Sequence, residues 1–154
     1  MFLSLGWGEG MNKAYTESVL EHTAEHFEAL AEIAAMLEVR SLTFIERNAV
    51  ERSMQVLVES CIGLSKHVCK KAGRQVLGEA KATALKTLEI LESSLGRAVG
   101  IDPVALQGAI GMRNAIVRDY LNLDWALVIA VVKEKEHLKL KCFIAAATEY
   151  LAAN

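Results

Sequence analysis

The sequence predicts an all-α protein, an antiparallel bundle of about five helices, on three observations. Proline occurs once, at Pro103, so nearly the whole chain is free to be helical. Long stretches are rich in Ala, Leu, Glu and Lys, which lose little on entering a helix. Apolar residues recur at spacings of three and four rather than two, the period of a helix with one buried face. With 154 residues, 53% apolar and 23% charged, the chain suits one domain with a real core.

The first helix is expected from about Lys13 to Val39, with a seam through Val19, Phe27, Leu30, Ile33, Ala34 and Leu37. Glu17, Glu21, Glu25, Glu28 and Glu32 step by three or four and form a solvated acidic stripe. Residues 1–12 read as a flexible N-terminal extension, with Met11 as an alternative start and Trp7 of little functional weight, leaving 13–154 as the domain. A second helix runs from about Phe44 to Lys71 and carries Val50, Met54, Leu57, Cys61 and Leu64, with Gly73 as its stop. A third covers about Gly78 to Gly96. The fourth has the clearest start, Asp102 as cap and Pro103 at the first helical position, and runs to about Tyr120. Asn122 or Asp124 then caps one long last helix reaching about Leu151. Short turns between long helices suggest up-and-down packing.

A formal charge of −2 excludes a uniformly basic surface. The distribution is uneven: acids dominate from Glu17 to Arg52, bases from Lys66 to Lys86. This permits a local basic patch for a phosphate backbone, although solvated helix faces account for most such runs. Cys61, Cys69 and Cys142 form no CxxC pair and read as reduced, buried thiols of a cytoplasmic protein. The apolar run Trp125 to Val132 is too short to span a bilayer, and the N-terminus lacks the basic region of a signal peptide. No membrane association is expected.

The segment from Gly111 to Tyr120 combines polar groups with an apolar face. Ile110, Ile116 and Val117 are expected to pack inward, leaving Arg113, Asn114, Arg118 and Tyr120. On an ideal helix Arg113 and Tyr120 share a face, about 10 Å apart along the axis, while Arg113 and Arg118 diverge by about 140°. One helix therefore does not easily aim both arginines at one small group. Two helices related by a twofold axis could, around a shared cleft. Read alone, these residues also fit an ordinary amphipathic surface.

Met112-Arg113-Asn114-Ala115-Ile116-Val117-Arg118-Asp119-Tyr120 resembles the motif of the HepT-like HEPN ribonucleases: Arg-Asn, a short apolar spacer, then His, any residue and Tyr. Asn48 to Ile62 resembles the second helix of the same family, and the resemblance spans about residues 13 to 151. It implies a HEPN-like helical bundle that dimerises through the motif helices and acts as a metal-independent endoribonuclease toxin. It also implies a cognate minimal nucleotidyltransferase antitoxin that transfers AMP onto the motif tyrosine. By that resemblance Arg113 binds the scissile phosphate, Asn114 supports it, Arg118 occupies the third catalytic position and Tyr120 is the modification site. RNA and the antitoxin are the implied partners; no cofactor and no metal are implied.

The sequence departs from the family at Arg118, where the family has histidine. The family chemistry resembles attack by the RNA's own 2′-hydroxyl, with histidine moving protons near neutral pH. Arginine stays protonated, so it is no base and a very poor acid, although it grips phosphate well. Three readings follow: a ribonuclease toxin, a non-catalytic HEPN partner of a nucleotidyltransferase that holds RNA or protein, and a structural helical bundle.

Other signals carry less. His22-Thr23-Ala24-Glu25-His26 matches an inverted zinc-protease pattern, but no third ligand follows it. Glu134-Lys135-Glu136-His137 holds a single ExxH, whereas bundle di-iron sites need two. His67 reads as surface, and Cys61 and Cys69 as core.

Overall fold

The computed structural model describes residues 2–74 and 78–153, with side chains from residue 12 onward. Its helices are α1 (Phe2–Leu37), α2 (Phe44–Lys71), α3 (Ala80–Leu95), α4 (Pro103–Arg118), α5 (Trp125–Lys133) and α6 (Leu138–Ala152). A single 3₁₀ turn, Tyr120–Asn122, links α4 to α5, and the described residues contain no strand. The all-α class and the bundle are as the periodicity predicts.

The central element is α2, which packs against α1, α3, α4 and α6. Its sequence explains that place. Val50, Met54, Leu57, Val58, Cys61, Ile62, Leu64, Val68 and Cys69 bury more than one face, which a helix surrounded on several sides requires. Leu30 of α1, Leu91 of α3, Leu106 of α4 and Phe143 of α6 complete a continuous core around it. The five glutamates of the α1 stripe, Glu17 to Glu32, stay exposed as their spacing predicts.

Local chemistry sets the helix ends. Thr43 caps α2: its hydroxyl accepts from the Glu46 N–H at 3.2 Å, while Glu46 accepts from the Thr43 N–H at 2.8 Å. Arg40 forks onto the same carboxylate at 2.7 Å through both terminal nitrogens, and with the Thr43 amide it holds the Glu46 carboxyl down to about 2. Asp102 and Asp124 cap α4 and α5 through the Ala105 and Leu127 amides. Gly96 closes α3 in the left-handed conformation. At the opposite end, the Lys71 ammonium donates to the Tyr150 and Ala153 carbonyls at 2.6 Å, satisfying the last turn of α6.

Four expectations are corrected. The backbone of α1 is helical from Phe2, not from near Lys13; the side chains of residues 1–11, Trp7 among them, lie outside the described residues. The expected long last helix is two. It breaks between Lys133 and Leu138 because Lys135 takes φ 60°, and the Lys135 and Glu136 amides turn back to the Val132 and Val131 carbonyls. Cys142 is exposed, unlike the free, buried Cys61 and Cys69. Val117 is 47% exposed, so of the three apolar residues expected to face inward only Ile110 and Ile116 do.

Candidate functional site

The motif helix α4 begins at a strong cap and lays Leu106, Ile110 and Ile116 into the core. Its polar side faces the start of α3. Arg113, Asn114 and Arg118 line one cleft of about 530 Å³, whose opposite wall is Gly78, Glu79, Ala80 and Lys81. Ile110 forms its floor. The two arginines thus reach one cleft within a single chain despite their divergence around the axis, because the cleft is wide and α3 closes its far side.

Within the cleft Arg113 and Asn114 are half-buried and Arg118 is exposed. The Arg113 Nε is buried with no hydrogen-bond partner, so the guanidinium is anchored in the wall without a protein acceptor there. Lys81 lies across α4 at Gly111, where an added Cβ would come 3.7 Å from the Lys81 ammonium. None of the ion pairs among the described residues involves Lys81, Arg113 or Arg118. Three cations therefore face one carboxylate, Glu79, in a partly desolvated groove. Such a groove attracts an anion.

Tyr120 leaves this cleft. The helix stops at Arg118, Asp119 turns to φ −140° and ψ 46°, and Asn122 donates to the Asp119 carboxylate at 2.8 Å to fix the turn. The expected shared face of Arg113 and Tyr120 is therefore absent. The Tyr120 side chain is 48% exposed on the 3₁₀ turn and lies beside the Glu51 carboxylate of α2. Glu51 is buried; desolvation raises its pKa, opposed by Tyr120 and by the Arg47 charge, and one of its oxygens has no partner.

Sequence reading did not single out Glu51 or Lys81. Glu51 had a signal: an acid beside Val50 and three residues before Met54 sits on a helix side that is otherwise apolar. Lys81 had none beyond the basic balance of its region, since its role depends on where α3 meets α4. The histidine pair on α1 is not organised as a ligand set: His26 Nδ1 bonds the Ser53 hydroxyl at 2.9 Å and its ring meets His22 edge-on. His67 stacks on Tyr15 at 4.1 Å. Burial pushes the Cys61 thiol up to about 12, which makes it inert.

Comparison with known proteins decides the family. The model of the HepT-like ribonucleases matches residues 20–146, a stretch that includes α2, the cleft and the motif. The chain belongs to the HepT-like ribonuclease family. A solved structure described as the crystal structure of the toxin-antitoxin with AMP-PNP shares the fold of this HepT-like chain with a TM-score of 0.57 at 15% identity. The likeness covers 90% of this chain and 96% of that one. None of the curated proteins compared matches significantly.

Proposed function

We propose that this HepT-like chain is the toxin-type member of a toxin–antitoxin pair whose cleft grips the RNA backbone but cleaves it weakly or not at all. The carrying observation is that Arg113, Asn114 and Arg118 line one cation-rich cleft; by its resemblance to the family motif, Arg118 stands at the histidine position. Cleavage by the RNA's own 2′-hydroxyl needs one group to take the hydroxyl proton and one to protonate the departing 5′-oxygen. Arg113 and Arg118 hold the phosphate and offset charge gathering on it, but neither moves a proton near neutral pH. The family's activity is a metal-independent endoribonuclease; this chain keeps its substrate grip and lacks its proton carrier.

The partner in this reading is a minimal nucleotidyltransferase antitoxin, which would transfer AMP to the Tyr120 hydroxyl. The tyrosine oxygen attacks the α-phosphorus of ATP, pyrophosphate departs and the hydroxyl proton is released. The exposure of Tyr120 supports this, as does the AMP-PNP in the related toxin–antitoxin structure. Val117 and Leu121, 47% and 94% exposed on either side of the arginine and tyrosine, support a homodimer formed at the motif.

Replacing Arg118 by His tests the reading. Arg118→His is expected to cut RNA and to arrest growth when expressed without the antitoxin, while the parent chain does neither. A well-folded Arg118→His chain that cuts no RNA would overturn the claim that this position disables the site. Strong cleavage by the parent would instead make it an active toxin.

A further inference from the structure

We propose that Lys81 is a third phosphate-binding residue of the motif cleft, supplied by α3 rather than by the motif helix; the proposal rests on the RNA-binding reading above. Two observations place it there. Lys81 lines the cleft opposite Arg113 and Arg118, and its ammonium lies over Gly111, two residues before the motif arginine. The absence of a side chain at Gly111 leaves the path across α4 open.

The charge balance shows what is missing. Lys81 is half-buried yet joins no ion pair, and the one carboxylate lining the cleft, Glu79, is paired with none of the three cations. Holding three like charges together in a partly desolvated groove costs free energy that a bound polyanion offsets. A cleft of about 530 Å³ has room for a phosphodiester with its flanking sugars. The chemistry fits a single-stranded RNA backbone, with one phosphate on the α4 arginines and the neighbouring backbone on Lys81.

The test separates binding from cleavage by using a fluorescent single-stranded 2′-O-methyl oligonucleotide, which has no free 2′-hydroxyl to attack. Lys81→Gln is expected to weaken binding roughly tenfold at low salt, the size of one charge-assisted contact. It should also reduce the log–log salt slope by about 0.7, the value for one single-strand phosphate. Lys81→Arg should retain most of both. Lys133→Gln, an exposed lysine at the end of α5 and outside the cleft, should leave both nearly unchanged. Equal loss in the Lys133 and Lys81 variants, or an unchanged Lys81→Gln slope, overturns the assignment while leaving RNA binding intact. Should the oligonucleotide not bind at all, the RNA reading falls and inorganic pyrophosphate is titrated by calorimetry. Pyrophosphate binding weakened by Lys81→Gln keeps Lys81 as an anion ligand; no binding, or binding indifferent to the change, overturns it.

Discussion

Tyr120, on the turn after the motif helix, lies beside the buried carboxylate of Glu51 on α2 and opposes the rise in its pKa that burial causes. This contact ties the motif to the central helix of the bundle. Tyr120 is half-exposed there, while one oxygen of the Glu51 carboxylate is buried without a partner. A group added to the Tyr120 oxygen removes that influence and leaves the buried carboxylate less well stabilised.

Tyr120→Phe is therefore expected to raise the Glu51 pKa further and to destabilise the fold by up to about 1 kcal/mol, because it takes a hydroxyl from beside a buried carboxylate. In the Glu51→Gln background the same change should cost less, since a neutral amide tolerates the missing donor better. Urea unfolding of the four chains of this double-mutant cycle measures the coupling. Additive effects within error would show that the two residues do not communicate.

The acid itself predicts a pH profile. Burial raises the Glu51 pKa, so the folded chain keeps the proton at pH values where the unfolded chain has released it. Its contribution to stability is full below the ordinary glutamate value, about 4.3, and falls as pH rises through the raised folded value. Glu51→Gln lacks this loss. The stability gap between Glu51→Gln and the parent should move in favour of the variant as pH rises from about 4 and then level off. A gap that stays constant between pH 4 and 8 in urea titrations would refute the burial argument.

These residues show where legibility ends. The α2 limits, the Asp102–Pro103 start of α4 and the glutamate stripe of α1 are local patterns, and each stands as its sequence indicates. Arg113 and Arg118 stand out in the sequence through resemblance, and both reach one cleft. The cleft was not, because its far wall comes from α3 and its width depends on how two helices cross. The break at Lys135 carries no glycine or proline, so nothing in Lys133-Glu134-Lys135-Glu136 announces it. Periodicity carries Tyr120 onto the helix face, but a turn held by Asp119 and Asn122 ends α4 two residues earlier.

A second packing contact follows from Gly63 on α2. A Cβ there would lie 2.9 Å from the Tyr15 hydroxyl of α1, and Tyr15 is held by its stack on His67 at 4.1 Å. Gly63→Ala gains about 1 kcal/mol of helix propensity, but forced overpacking costs about 1–3 kcal/mol. Because the ring is braced, the clash should win and the midpoint of thermal unfolding should fall. In the Tyr15→Phe background the obstructing oxygen is gone, so the same substitution should become neutral or stabilising. Persistence of the full cost in that background would mean that something other than the hydroxyl limits the space.

The turn between α5 and α6 offers the last test. Lys135 at φ 60° adopts a conformation in which its Cβ is strained, and it does so while its own amide and that of Glu136 close the end of α5. Glycine removes the strain but adds freedom to the unfolded chain, so Lys135→Gly should stabilise by a few tenths to about 1 kcal/mol. Lys135→Val, whose branched Cβ fits this region worst, should destabilise by about 1–2 kcal/mol, with Lys135→Ala close to the parent. The order Gly, then Lys and Ala, then Val in thermal unfolding is specific to a left-handed residue. An α-helix passing unbroken through this point would instead make Gly the worse of Gly and Ala.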